Sequence, residues 1–245
     1  DITYDGNPTI KGRFRINTLV TFKGNVTVSD TIESYYYYAD PVKVLKIVGN
    51  ITNNGIIRNY GNGLALDVTG DVTNNGTWTH KWTDLSGSGN QTLTLAPNKL
   101  FEAAFRVTDS LGMIIAGSNL ATTSSFDLRK CTLDMKNYSL TLQGSGATVY
   151  NGLVINTKNI VGTTVSGANP NMNDITYDGN PTIKGRFRIN TLVTFKGNVT
   201  VADTIESYYY YADPEKVLKI VGSLTNNGLV RNYGNGLAVD VTGNL

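Results

Sequence analysis

The feature that most constrains the fold of this chain is its repetition. Residues 1–72 and 174–245 align without a gap at an offset of 173, and 63 of those 72 positions are identical. Most of the nine changes exchange small, apolar or near-isosteric polar residues; only Val42/Glu215 and Asp71/Asn244 alter charge. Self-similarity at a fixed spacing is the signature of a structural array. Residues 1–173 therefore read as one complete module and 174–245 as the first part of the next. The second copy stops at DVTGNL, where the first runs on as DVTGDVTNNGTW, so the array is expected to continue beyond both ends.

A shorter repeat lies inside the module. The pattern apolar–x–apolar–x–Gly–x–apolar occurs at Val20, Phe22, Gly24, Val26, returns at Leu45, Ile47, Gly49, Ile51, and again at Leu66, Val68, Gly70, Val72. Alternation at period two marks a strand with one buried face. Strands that return every 21–27 residues fit one rung of a parallel β-helix each, with apolar positions stacking in columns. The glycine column predicts a bend where a side chain would crowd the backbone. Turns keep the same register: Asn53, Asn54, Gly55 and Asn74, Asn75, Gly76 lie 21 apart and predict a turn ladder in which asparagine side chains bond along the stack. The fold class expected is all-β, a parallel β-solenoid of right-handed sense; a sandwich or a chain of separate β domains is the alternative. Leu100 to Ser110 is the best helical candidate, yet Phe101, Ala103, Phe105 and Val107 alternate there and read as a strand. At 23–25 residues per rung a module would hold about seven rungs and advance about 30–35 Å.

Composition narrows the function. Asn, Thr and Gly number 28, 31 and 26, favouring strands and turns, while charged residues are 16% against the roughly 25% of ordinary globular domains. A net charge of +2 points to neither nucleic acid nor an anionic membrane, and no apolar run approaches a membrane span. The single cysteine, Cys131, gives no disulfide framework and is expected to be buried as a small apolar residue.

Candidate contact residues are aromatic. The runs Tyr35, Tyr36, Tyr37, Tyr38 and Tyr208, Tyr209, Tyr210, Tyr211 fall in the longer rung. They either fill and cover that rung or expose rings that stack on sugars or neighbouring fibres. Trp78 and Trp82 flank His80, the only histidine, in what reads as a polar spacer from Trp78 to Gly89 carrying an exposed aromatic knob. Lys11, Arg13 and Arg15 alternate with Phe14 and Ile16 and read as a solvated strand face, with an acidic glycan as the sharper alternative. No cofactor is expected. A calcium turn at Gly61-Asn62-Gly63-Leu64-Ala65-Leu66-Asp67, or calcium near Asp5, Asp30, Asp40 and Asp71, is the weaker possibility. Four Glu and scattered Asp supply no motif for a catalytic carboxylate pair or a nucleophile with its base, so an enzyme is not expected.

The stretch Leu140-Thr-Leu-Gln-Gly-Ser-Gly-Ala-Thr-Val-Tyr-Asn-Gly-Leu-Val-Ile-Asn-Thr157, with the Gly-Asn-Val-Thr-Val and Gly-Asn-Ile-Thr-Asn-Asn-Gly motifs, resembles repeats of large secreted bacterial surface proteins. These are the filamentous-haemagglutinin-like adhesins and the repetitive surface proteins of Bacteroidetes-type bacteria. The resemblance implies a parallel β-helix that builds an extracellular stalk, fibre or adhesive surface. The function expected is structural, its partners being further copies of the module, end to end and laterally. An adhesin or glycan-binding module presenting Tyr and Trp patches is the alternative.

Overall fold

The computed structural model describes residues 1–34, 43–60, 63–108, 112–207, 216–232 and 236–245. The described residues form strands without a helix, and every pairing between strands is parallel. The chain divides into two bodies, Asp1–Ser118 and Asn119–Leu245. The boundary between the sequence repeats, at 173/174, falls inside the second.

In the first body the chain lays down strands on three faces. The first face stacks Ile2–Asp5, Val20–Lys23, Lys43–Ile47, Leu64–Val68, Trp82–Leu85 and Ala104–Val107. The second stacks Thr9–Ile10, Val26–Val28, Ile51–Asn53, Val72–Asn74, Gln91–Leu95 and Met113–Ala116. The third carries Arg13–Ile16, Thr31–Ser34, Ile56–Arg58 and Thr77–Thr79. In the second body one stack runs Thr132–Asp134, Gly152–Ile155, Ile175–Asp178, Leu192–Lys196, Lys216–Ile220 and Leu237–Val241. Beside it run Leu120–Thr122, Leu140–Gln143, Asn159–Thr163, Thr182–Ile189, Val199–Val201 and Leu224–Asn226. Thr182–Ile189 turns a corner midway: its first half pairs with Asn159–Thr163 and its second half with Thr204–Ser207. The bend sits at Gly185, at φ +74° and directly against the Gly162 carbonyl, where a side chain has neither room nor an allowed conformation.

The period-two pattern fills the core. Val20, Phe22, Val26, Leu45, Ile47, Ile51, Leu66, Val68 and Val72 are all 5% exposed or less, and they register directly: Val20 on Leu45, Leu45 on Leu66, Val26 on Ile51, Ile51 on Val72. Each rung thus covers the apolar row of the one before it, removing both from water. Phe101, Ala103, Phe105 and Val107 are buried in the same way.

Two polar devices close the corners. In the glycine column, a Cβ on Gly49 would lie 2.7 Å from the Gly24 carbonyl, so consecutive coils touch backbone to backbone there. Beside it, Asn7 Oδ1 accepts the Asn25 N–H at 2.7 Å, Asn25 Oδ1 the Asn50 N–H at 2.9 Å, Asn50 Oδ1 the Asp71 N–H at 2.7 Å, and Asp71 Oδ1 the Thr92 N–H at 2.7 Å. At the next corner the two asparagines of each Thr-Asn-Asn-Gly turn separate. Asn53 and Asn74 point inward, fully buried, with Asn53 Nδ2 donating to Asn74 Oδ1 at 2.8 Å. Asn54 and Asn75 form the exposed counterpart, Asn75 Nδ2 donating to Asn54 Oδ1 at 2.8 Å. Strand-end amides that the turn would leave orphaned are satisfied along the stack axis.

Two expectations need correction. The coils are shorter than the motif spacing suggests: five steps, Ile2 to Val20, Leu45, Leu66, Thr83 and Phe105, carry the chain 103 residues, about 21 each. A repeat of 173 residues then holds about eight coils rather than seven. The second correction concerns residues 78–89, which are no spacer. Thr77–Thr79 pairs with Ile56–Arg58, and Trp82–Leu85 pairs with Leu64–Val68. The alternation is hard to see there because Thr83 occupies the core column between Leu66 and Phe105, and Trp78 takes the place registered on Ile57.

Candidate functional site

Side-chain chemistry collects in four places. The first is repeated in both copies. On the third face, Arg15 registers on Glu33 and Glu33 on Arg58. Glu33 Oε1 accepts from Arg15 Nε at 3.0 Å, while Oε2 accepts from Arg13 Nη2 at 3.0 Å and from Arg58 Nε and Nη2 at 3.1 and 2.9 Å. The carboxylate is fully shielded, whereas the three guanidiniums stay partly exposed. Burial alone would push the Glu33 carboxyl up; hydrogen bonds from Arg13, Arg15 and Arg58 outweigh it and hold it below the usual carboxylate range. Glu206 reproduces the arrangement, its Oε2 taking Arg186 at 2.8 Å and Arg231 at 2.8 Å, with Arg188 at 3.4 Å on Oε1. Here Asn169, near the end of the first copy, also donates to Glu206 Oε1 at 3.3 Å. Arg13 and Arg15 are thus not a solvated strand face but two arms of a staple across three coils. Sequence spacing carried a signal for it: Arg58 follows Glu33 by 25 residues, the distance from Val20 to Leu45.

The second place is buried. Trp78 and His80 are 0% and 2% exposed, so neither belongs to a surface knob. Trp78 Nε1 donates to Thr83 Oγ1 at 3.2 Å, and that hydroxyl lies 2.8 Å from His80 Nε2. Burial pushes the imidazole down to about 3, against a weaker backbone contact at Trp82. Trp78, His80 and Thr83 form one buried cluster. It fills the core where the columns change from aliphatic to aromatic, Trp78 lying edge-on to Phe101.

Trp82 is the third. It lies on the outer side of its strand, but its ring is already engaged: Arg106 Cζ lies 4.3 Å and Lys81 Nζ 5.1 Å from it. The indole N–H donates to Asp84 at 3.0 Å, and Asp84 takes both donors of Arg106 at 2.7 and 2.8 Å. The tyrosines at 35–38 and 208–211 lie outside the described residues, as do Asp40, Gly61 and Asn62. Tyr60, on the same third face as the Glu33 staple, is 46% exposed, 5.9 Å from Arg13 Cζ.

The fourth is a groove of about 550 Å³ in the second body, lined by Lys136, Asn137, Asn156, Thr157, Lys158, Gly179 and Asn180. Cys131 proves partly exposed rather than buried, its thiol 3.6 Å from the Thr132 carbonyl. Asp71 serves the corner ladder and Asp30 Oδ1 accepts from the Thr31 hydroxyl. Among the described residues, no three His, Cys, Asp or Glu gather as a metal site would require. Compared with known proteins, the chain matches no family model, no curated protein and no solved structure.

Proposed function

We propose that this chain is a segment of a structural array in which β-solenoid repeats run into one another to form an extracellular stalk, fibre or sheath. One observation carries the reading: the strands of one repeat pair with those of the next as strands within a repeat pair with one another. Gly152–Ile155 of the first copy pairs with Ile175–Asp178 of the second, and Asn159–Thr163 pairs with the start of Thr182–Ile189, both parallel and in unbroken register. Ile2 and Tyr4 are 48% and 43% exposed, whereas their counterparts Ile175 and Tyr177, covered by that preceding strand, are 3% and 1% exposed. Asn169 adds a polar link from the first copy to the Glu206 staple of the second.

An element that needs its neighbour to bury its apolar row is suited to stacking and poorly suited to standing alone. Stiffness then follows from backbone hydrogen bonds running along the stack, reinforced by the corner ladders. The reading involves no catalytic step. Its partners are further copies of the same repeat, and the extracellular setting rests on the resemblance to bacterial surface repeats.

Electron microscopy of proteins carrying one, two and four repeats tests it. Length should grow by roughly 40 Å per repeat at constant width, from about eight coils at ~4.8 Å each. Beads joined by flexible gaps would refute it and favour independent β domains.

A further inference from the structure

The corner between the Gly152–Ile155 stack and the Asn159–Thr163 stack is tight within a repeat and open at the junction. On that corner a Cβ on Gly197 would run into the Gly179 carbonyl and one on Gly222 into the Gly197 carbonyl; on Gly179, at the start of the second copy, it would meet nothing nearer than Asn156 N at 3.9 Å. The corner ladder stops at the same point. Ser223 gives its N–H to Asn198 Oδ1, one coil back, at 2.9 Å. Asn180 accepts from Asn198 at 2.8 Å, but its own N–H has no hydrogen-bond partner among the described residues.

The opening is the groove of about 550 Å³, within the range of small-ligand sites. Its unspent groups are donors. Lys158 makes no ion pair among the described residues, and the Asn180 N–H is open at the corner. Lys136 is tied to Asp134 at 2.8 Å, and the Asp134 carboxylate is spent on Lys136 and Asn156, so the lining presents no free carboxylate. Lys136, Asn137 and Asn156 take left-handed backbone at φ 47°, 64° and 55°.

We propose that this junction groove binds the carboxylate of an acidic saccharide, with Lys158 as the counter-charge and the Asn180 N–H as donor. Because its walls come from the end of one repeat and the start of the next, the site recurs once per junction, and weak contacts would sum along an array. The proposal is separate from the stalk reading: a groove that binds nothing leaves the stacked coils unchanged.

Calorimetric titration of the 245-residue protein with tetragalacturonate at about 50 mM salt tests it, with the fully methyl-esterified tetramer as the neutral counterpart. Saturable binding of the acid is expected, weakened at least about ten-fold by Lys158→Glu and by esterification, with thermal melting unchanged in the variant. Absence of saturable binding, equal binding of the ester, or full binding by a folded Lys158→Glu protein would overturn it.

Discussion

Adjacent asparagines in one turn should differ widely in what they contribute. Asn74 is fully buried; its Oδ1 accepts from Asn53 Nδ2 at 2.8 Å and from the Gly76 N–H at 3.1 Å, and its Nδ2 donates to the Leu100 carbonyl at 3.1 Å. Asn74→Ala removes all three bonds. Asn53 keeps a second acceptor in the Thr77 carbonyl at 2.8 Å, but the Gly76 N–H and the Leu100 carbonyl each lose this partner. At about 1–3 kcal/mol for each unsatisfied group, the cost is about 2–6 kcal/mol. Asn75 is exposed and makes one side-chain bond, to Asn54 at 2.8 Å; water replaces it, so Asn75→Ala should cost about 0.5–1 kcal/mol. Urea unfolding of the two variants, followed by far-ultraviolet circular dichroism, separates them. Equal midpoints would show that the inward and outward ladders do not differ, and the burial argument for the turn column would be wrong.

Glu33→Gln leaves three guanidiniums converging on a neutral group; because the arginines are partly exposed, the cost should be about 2–4 kcal/mol, read as a lower urea midpoint that high salt partly restores. Gly49→Ala forces a methyl group against the Gly24 backbone and should cost about 1–3 kcal/mol, while Gly89→Ala, with nothing within 4 Å, should leave the melting temperature unchanged. Acid should destabilise the protein in two stages. His80 is held neutral with its value lowered from 6.5 to about 3, so the unfolded state binds the extra proton as pH falls from 6.5 toward 3, and stability falls across that window. Glu33 and Glu206, held below 4.5, contribute stability above that value and lose it as pH falls further. Denaturation midpoints between pH 7 and 3 check both; in His80→Phe the decline above pH 4.5 should be smaller.

The columns were legible in the sequence because an apolar residue, a glycine and an asparagine each recur where the fold needs them, and period two places each on a known side. What was not legible followed from register. Coil length varies from the 17 residues between Leu66 and Thr83 to the 25 between Val20 and Leu45, so partners on neighbouring coils are not at one fixed offset. The Arg58 half of the Glu33 staple repeats the 25-residue step from Val20 to Leu45, but the Arg15 half, 18 residues away, matches no step of the apolar motif. Trp78 and His80 read as a polar insertion because Thr83 broke the aliphatic pattern; a hydroxyl is tolerated in that column since the indole and imidazole satisfy it. The groove depends on a glycine corner failing to close, and Gly179 is the same residue type as the glycines whose corners do close.

Amide hydrogen exchange across the repeat boundary tests the central claim most directly. If one repeat continues into the next, amides in Ile175–Asp178 and Thr182–Ile189 should be as protected as those in Leu192–Lys196, deeper in the second copy. Junction amides exchanging as fast as exposed loops, while Leu192–Lys196 stays protected, would contradict it and leave each repeat a body of its own.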